Sequence, residues 1–327
     1  MKTIVRKIFV LIGLLTLSFS NAFAVNMVQK EDVLKRTLLI AGLSDFPPFS
    51  YYDEAVSVYS LHSAFLKPLK DAFSSYSFKF KPYSLKDEQY QNPKLFMIAV
   101  RSGEVNVFIG AMSDTKLFSG LELIYPASVS NPVHIITTGD GSDKIKSTSD
   151  LQSLKGVICT QEYFSDFVLR KIKGLNIEYV DTPYTAYEKL MTGEVDYMIG
   201  SSYFNRIMSS RYGIGRYLSY SKNPIFKIPM FVALSRVTPV WEEYAKVFRE
   251  EFSKPSFGIA VKNEILRMVT QEEEKNEGIV PPAFALHLEE NNTDPSDEEE
   301  QTSDALAGRI VEQKVEEKTF DEVLDGI

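Results

Sequence analysis

A short phrase occurs twice in this chain. The first copy, RSGEVNVFIGAMS, covers residues 101–113, and the second, MTGEVDYMIGSS, covers residues 191–202. Each copy follows a helix-like run and contains a glycine where a helix would end in the left-handed conformation that glycine adopts without steric cost. A short apolar strand follows and ends in small residues. Because open α/β sheets bind ligands beyond the carboxyl ends of their strands, the repeat predicts two similar α/β lobes that present strand ends to one ligand.

The first 24 residues have the pattern of a signal peptide. Lys2, Arg6 and Lys7 form a positive n-region, residues 8–17 form an apolar h-region, and an A-x-A site precedes Val25. The alternative, an N-terminal membrane anchor, is disfavoured because this apolar run is shorter than a membrane span. The sequence therefore predicts cleavage before Val25 and a soluble protein of the bacterial periplasm.

Cysteine and charge limit the classes of protein to which the chain can belong. Cys159 is the only cysteine, so an intramolecular disulfide is excluded and stability has to come from a packed core. The whole chain carries a formal charge of −8, of which residues 271–327 contribute −14 and the remainder +6. No stripe of Lys and Arg with interleaved aromatic residues accompanies that mild positive charge, so nucleic-acid binding is not predicted.

The order of predicted elements indicates a doubly wound sheet. Apolar runs alternate with segments of helical spacing, as in β-α-β-α-β units. The predicted strands cover residues 37–43, 77–83, 133–138, 157–160, 176–180 and 226–235. The predicted helices cover residues 60–74, 92–102, 149–156, 163–171, 184–191, 239–252 and 266–274.

The composition changes beyond Pro281 and Pro282. Residues 289–304 are rich in Glu, Asp, Asn and Ser and have almost nothing to bury, so they are predicted to be disordered. Residues 304–324 place apolar side chains at loosely helical spacing. Two interpretations stay open, a solvated acidic tail and a partner-binding helix on a flexible tether.

Several motifs in a fixed order resemble the family 3 bacterial extracellular solute-binding proteins. An aromatic-Pro-Pro-Phe turn follows the first strand at residues 46–49, and a Gly-to-Met-Ser-x-Thr phrase covers residues 103–115. A Ser-x-x-Asp-Leu-x-x-Leu-x-Gly phrase covers residues 147–156, and a second Gly-x-Val-Asp covers residues 193–196. The resemblance extends over about residues 37–269.

The resemblance implies the type II periplasmic binding fold, in which two doubly wound α/β lobes are joined by a hinge, here with a disordered acidic tail. The expected layout is a signal peptide (1–24), the first part of lobe 1 (25–137), lobe 2 (138–224), a return to lobe 1 (225–280) and the tail (281–327). The two crossings between lobes are expected at residues 135–139 and at about 223–233.

The family's ligand-binding positions can be carried over one at a time. Phe46 occupies the place of the aromatic residue that stacks on the ligand, although it equally fits a core position beneath the turn. Gly110, Ala111 and Ser113 stand where small residues donate backbone and hydroxyl hydrogen bonds to a ligand carboxylate. Thr115 matches a family threonine, with capping of a local turn as the alternative role.

The two charged anchors of an amino-acid site are missing. Phe118 stands where the family has an arginine that pairs with the ligand carboxylate, and Ser201 stands where it has an aspartate that holds the ammonium. Glu162 and Tyr163 occupy the place of a Gly-Ser/Thr pair at a helix start, and Glu162 would either oppose an anion there or receive an ammonium itself. An unpaired buried charge is costly, so an ordinary α-amino acid is a poor candidate.

Aromatic residues around the expected cleft indicate a larger, less charged or aromatic ligand, with core packing as the alternative. They are Phe46, Tyr51, Tyr52, Phe118, Tyr163 and Tyr203.

The leading functional hypothesis is a monomeric periplasmic solute-binding protein that captures a small molecule and serves the permease of an ABC importer. A non-transport receptor or adaptor with the same fold is the alternative, and a dehydratase-like enzyme is a weaker one. His62, His134 and His287 lie near no nucleophile phrase, and no metal-ligand spacing occurs, so no catalytic residue, cofactor or metal is predicted.

Overall fold

The two copies of the repeated phrase form matching units in the computed structural model of the protein, which describes residues 37–55, 58–113, 116–139, 145, 148–162, 164 and 166–290. In the first unit a helix ends at Arg101, Gly103 has a φ of 84°, and a strand begins at Val107. In the second a helix ends at Met191, and Gly193 has a φ of 74° before the next strand. Both glycines are left-handed, so the predicted helix ends are confirmed.

The described residues form a mixed α/β structure. Its strands are β1 (Thr37–Ala41), β2 (Asp45–Phe46), β3 (Ser50–Ala55), β4 (Val58–His62), β5 (Lys79–Pro82), β6 (Val107–Met112), β7 (Leu121–Thr138), β8 (Lys155–Cys159), β9 (Asn176–Val180), β10 (Tyr197–Ser201), β11 (Leu218–Tyr220) and β12 (Phe226–Ser235). Its α-helices are α1 (Leu66–Ala72), α2 (Asp87–Gln91), α3 (Pro93–Arg101), α4 (Asp166–Lys171), α5 (Pro183–Met191), α6 (Ser202–Arg211), α7 (Trp241–Phe252), α8 (Pro255–Lys275) and α9 (Ala283–Glu290).

One continuous sheet joins two parallel halves. Its strand order is β5-β1-β6-β12-β7-β10-β8-β9, with β11 added to β7. Strands β5, β1 and β6 are parallel to one another, and so are β10, β8 and β9. Between them, β12 and β7 run antiparallel to their neighbours. Each parallel half is the sheet of one lobe, so the predicted class of two doubly wound lobes is confirmed.

The two lobes are connected through β7 and β12. Strand β7 is 18 residues long and pairs first with β12, starting at Leu121, and then with β10 from Val133 to Ile136. The segment predicted to cross at 135–139 overlaps the end of β7, and the one predicted at 223–233 overlaps β12. The chain thus leaves the first lobe along β7 and returns along β12.

The helix predicted over residues 60–74 is wrong in its first part. Strand β4 covers Val58–His62, pairs with β3 in a hairpin, and forms a small three-stranded sheet with β2. Ser63 ends this strand because its hydroxyl donates to the Phe49 carbonyl and accepts the Phe65 N–H. Only Leu66–Ala72 is helical, since strand pairing overrides the helical spacing of the apolar residues.

The C-terminal part of the described chain is more helical than its sequence predicts. Helix α8 covers Pro255–Lys275 and is much longer than the predicted 266–274, and α9 was not predicted at all. The chain divides after His287, within α9, into a body and a C-terminal segment. The predicted signal peptide and residues 291–327 of the tail lie outside the described residues. Among the described helices, none combines the length and apolar character that crossing a membrane requires.

Candidate functional site

The strand ends of the two repeats lie on either side of the connecting strands. Strand β6 pairs with β12, and β10 pairs with β7. At the end of β6, Gly110 has a φ of 73°, and a Cβ added to it would lie 3.6 Å from the Cβ of Phe49. The turn that contains the two prolines therefore covers this strand end, and Ala111 beneath it is fully buried.

Four aromatic side chains from both lobes meet over the strand ends, and we call them the aromatic cluster: Phe46, Phe49, Tyr203 and Phe204. The ring centroids of Phe46 and Phe49, in the first lobe, are 5.2 Å apart. Phe46 lies 5.8 Å from Phe204, and Phe49 lies 6.3 Å from Tyr203. Tyr203 and Phe204 are both on α6 of the second lobe. Phe46, Phe49 and Phe204 have exposed fractions of 0%, so the two lobes are in contact here.

A buried polar network lies at the end of β10, and we call it the Glu162 network. The backbone N–H of Ser201 donates to Glu162 Oε2 at 2.5 Å, and Asn205 Nδ2 donates to Glu162 Oε1 at 2.9 Å. The Ser201 hydroxyl donates to Asn131 Oδ1, and Tyr187 donates to Asn205 Oδ1 at 2.7 Å. Both carboxylate oxygens of Glu162 are thus occupied by groups of its own lobe.

Burial controls the charge of this network. Glu162 has an exposed fraction of 0%, and desolvation raises the pKa of its carboxyl to about 8, against the effect of the hydrogen bonds from Asn205 and Ser201. Glu162 is therefore mainly protonated at neutral pH. Asn131 lies beside it with its Nδ2 buried and without a hydrogen-bond partner in the described part of the chain. The second strand end presents uncharged groups.

Gly200 is the residue that lets this network form. A Cβ at Gly200 would lie 2.3 Å from Asn205 Nδ2 and 2.7 Å from Glu162 Oε1, closer than any side chain could tolerate. At the end of the second repeat, Gly200 thus leaves room for the carboxyl of Glu162, and the Ser201 N–H donates a hydrogen bond to it. They leave no open surface for a ligand at that point.

Tyr51 lies outside the aromatic cluster, at a groove along the seam between the lobes. Its ring stacks on His62 at 5.1 Å, and the guanidinium of Arg211 lies 5.6 Å from its centroid. The groove has a volume of about 220 Å³. Tyr51 and His62 line one side of it, Arg211 of α6 lines another, and α8 lines the third. Arg211 is also near Asp45, whose pKa is raised by desolvation and lowered in part by that guanidinium.

The remaining predicted site residues are dispersed. Phe118 lies in the core of the first lobe, 5.2 Å from the ring of Phe108, and is 4% exposed. Ser113 follows β6 in a turn and is half-buried. Thr115 and Tyr163 lie outside the described residues. The structure therefore brings together Phe46, Gly110 and Ala111 at one strand end and Glu162 and Ser201 at the other.

Sequence reasoning did not find the partners of Glu162. Asn205 lies four residues after Ser201 on α6, where its amide reaches back to both the Ser201 carbonyl and Glu162. Asn131 comes from the middle of β7, before the strand predicted there. A polar residue one helical turn after the repeat was the available signal for Asn205, whereas nothing in the sequence pairs Asn131 with Ser201.

No group of three or more His, Cys, Asp or Glu side chains that could hold a metal ion occurs in the described ranges. Cys159 is buried in β8, and desolvation raises the pKa of its thiol to about 12. His134 lies in β7, as predicted, and its Nδ1 is 2.7 Å from the carbonyl oxygen of Ser221. The contacts described at the two strand ends are hydrogen bonds and aromatic contacts.

Comparison with solved structures places this geometry in a known fold. The structure is similar to the periplasmic VFT2 domain of BvgS from Bordetella pertussis, with 15% identity and a TM-score of 0.54 over 74% of this chain and 97% of that domain. It is also similar to AbpA, an amino acid ABC transporter substrate-binding protein from Streptococcus pneumoniae bound to L-arginine, with 12% identity and a TM-score of 0.51 over 72% and 95% of the chains.

A histidine kinase sensor domain with similarity to periplasmic binding proteins is a third similar structure, with 16% identity, a TM-score of 0.50, and coverage of 75% of this chain and 98% of that domain. No protein-family model and no curated protein matches the sequence. The chain therefore has the type II periplasmic binding fold, which transport proteins and sensor domains share. AbpA is described as a substrate-binding protein and the third structure as a sensor domain.

Proposed function

We propose that this protein is a non-transport receptor or adaptor of the type II periplasmic binding fold, and that its lobes are closed on each other without a ligand. The aromatic cluster is the observation that supports this function. Phe46 and Phe204 come from different lobes and touch where a bound solute would otherwise separate them. A closed resting state presents one fixed surface to a partner protein.

The cost of opening supports this resting state. Burying a Phe side chain is worth about 1.5–3 kcal/mol. Opening exposes only the ring faces that meet between the lobes, so it costs about as much as exposing one such side chain. A solute that enters between the lobes has to repay that free energy with its own contacts. In the absence of such a solute, the closed arrangement dominates the population.

The chemistry of the strand ends argues against an amino-acid ligand. Glu162 is protonated at neutral pH, and its oxygens accept hydrogen bonds from Ser201 and Asn205, so it offers no anion to a ligand ammonium. Phe118 is part of the core of the first lobe and offers no cation to a ligand carboxylate.

Small-angle X-ray scattering of the purified mature protein tests the closed resting state. We expect a single compact monomer whose radius of gyration does not change when amino acids, peptides, sugars or aromatic acids are added. We also expect no change of the thermal midpoint with the same compounds. A protein that is more extended when unliganded and contracts on addition of one compound would contradict the proposal.

That opposite outcome defines the second candidate, a solute-binding protein that delivers an uncharged or aromatic solute to an ABC permease in the inner membrane. The uncharged character of the aromatic cluster and the Glu162 network favours this class of solute over charged ones. The fold shared with AbpA supports the same role. Here the solute would replace the contact between Phe46 and Phe204, and a rise of the thermal midpoint would accompany contraction.

Both candidates place the protein in the periplasm after removal of residues 1–24. The A-x-A site before Val25 supports this location. The mass of the protein recovered from a periplasmic extract is expected to correspond to a chain that begins at Val25. A full-length mass from Met1 in a membrane fraction would contradict this prediction.

A further inference from the structure

Helix α8 contacts both lobes, although β7 and β12 already connect them. The first half of the helix packs on the first lobe. Phe257 stacks on Phe252 of α7 with a centroid distance of 4.3 Å, and Val261 and Ile265 are fully buried. The helix also packs against α1 of the same lobe. Its position there is fixed by apolar contacts.

The second half of α8 is bound to α6 of the other lobe by charged groups. Arg206 Nε and Nη2 donate to the two carboxylate oxygens of Glu273 at 2.8 and 2.7 Å. Five residues further along α6, Arg211 Nε donates to Glu272 Oε1 at 2.7 Å. The forked pair between Arg206 and Glu273 fixes both the distance and the orientation of the two side chains, unlike a contact between single charges.

The chain after α8 stays on the second lobe. Ile279 packs so closely on Gly213 that a Cβ at Gly213 would lie 2.5 Å from the Ile279 carbonyl oxygen. Phe284 of α9 then contacts Tyr184 of α5 with a centroid distance of 5.3 Å. The chain that returned to the first lobe along β12 thus crosses back to the second lobe along α8.

We propose that α8 is a clamp that holds the two lobes closed, and that its ion pairs with α6 are the part that releases. A rotation of the lobes about β7 and β12 moves α6 relative to the first lobe. The first half of α8 is buried in the first lobe, and the helix is stiff. The rotation therefore has to break either the ion pairs of Arg206 and Arg211 or the apolar contacts of α8 with the first lobe. The ion pairs are the weaker of the two, since each of their side chains is partly exposed to water.

Charge reversal on the clamp tests this role. Cysteines introduced at Lys79 and Tyr179, exposed positions on the two edge strands of the sheet, carry spin labels, while the buried Cys159 stays unlabelled. We expect Arg206→Glu to increase the population with a long interlabel distance about five- to tenfold. The double variant Arg206→Glu/Glu273→Arg is expected to restore the wild-type distribution, because it rebuilds the pair with the charges exchanged.

A matched control shows whether opening requires the loss of these particular ion pairs or follows from the loss of any ion pair. Arg249→Glu removes an equally short pair, Arg249 to Glu122 at 2.7 Å, which lies within the first lobe. This variant is expected to keep the wild-type distance distribution. An increase of the long distance in the control equal to that in Arg206→Glu, or no recovery in the double variant, would overturn the clamp.

Wild-type protein provides a second measurement that needs no charge reversal. Raising the salt concentration from 0.05 to 1 M is expected to shift the wild-type distances toward the long population, because salt screens partly exposed ion pairs. A distribution that does not respond to salt would overturn the clamp. The inference builds on the proposed closed state, and the wild-type distance at low salt tests that state separately from the variants.

Discussion

Replacing Glu162 with Gln is expected to remove most of the dependence of stability on pH between 4.5 and about 8. Desolvation raises the pKa of this carboxyl from 4.5 to about 8 in the folded protein. Below pH 4.5 the carboxyl is protonated in both the folded and the unfolded state. Between the two values only the unfolded state is ionised, so unfolding releases a proton and the free energy of unfolding falls as pH rises.

The expected loss is about 5 kcal/mol in total, at 1.36 kcal/mol for each pKa unit, and it is complete above pH 8. Glutamine has nearly the same shape and keeps an oxygen acceptor for Ser201 or Asn205, but it cannot ionise. Its amide nitrogen cannot accept the other of these two hydrogen bonds, so the Glu162→Gln variant should be less stable than the wild type at pH 5 and more stable than it at pH 9.

Urea unfolding at a series of pH values measures this effect. Glu250→Gln, a change at an exposed carboxyl on α7, is the matched control and should retain the wild-type pH profile. Asp45→Asn measures the contribution of Asp45 on its own, which has the same sign because burial also raises the pKa of that carboxyl. Equal pH profiles for the wild type and Glu162→Gln would show that Glu162 is solvated in the folded protein.

Truncating Phe204 to Ala is expected to reduce the free energy of unfolding by roughly 3–5 kcal/mol and to separate the lobes. A buried Phe that is removed leaves a cavity, and both the transfer free energy and the cavity contribute to the loss. Phe204 also provides the contact of the second lobe with Phe46, so its removal weakens the closed state in addition to the core.

Phe118→Ala is the control for this experiment. Phe118 is buried to a similar degree, but it packs on Phe108 within the first lobe. We expect a comparable loss of stability without any change of the radius of gyration. The two variants then differ only in the lobe separation, which identifies the contact across the seam.

Benzene provides a further test of Phe204→Ala. An apolar cavity of this kind stays dry and can take up a small aromatic molecule. The cavity is enclosed only while the lobes are closed, so benzene should favour the closed form of this variant, restore part of its lost stability and leave the wild type unchanged. A loss below about 1 kcal/mol with an unchanged radius of gyration would show that the aromatic cluster does not hold the lobes together.

The features predicted well from the sequence are those that depend on neighbours in the chain. The glycines at 103 and 193 end helices because of their own backbone conformation, and the strands after them are apolar along their whole length. The order of these units then gave the two lobes. The turn after Phe46 was located in the same way, because two prolines fix it, whereas a role of Phe46 in ligand binding stays a prediction.

The features that were missed depend on pairing and packing with other segments, which the spacing of residues within one segment does not show. Residues 60–62 pair with β3 as a strand in a hairpin although their spacing is helical. Glu162 was recognised as a charged residue at a strand end, but its burial results from Gly200 and Asn205, about forty residues later. Phe118 shows the same limit, because one missing arginine indicates what a position cannot do and gives no information on where its side chain packs.

The position of β12 in the sheet has a consequence for the order in which the chain can fold as its residues emerge. Strand β6 belongs to the first lobe, yet its partner β12 follows the whole second lobe in the sequence. An emerging chain therefore exposes the unpaired edge of β6 until residues 226–235 arrive, whereas the second lobe has its β8, β9 and β10 strands together much earlier. Unpaired edges are templates for aggregation, so the first lobe is the part of the incompletely emerged chain that is most exposed to aggregation.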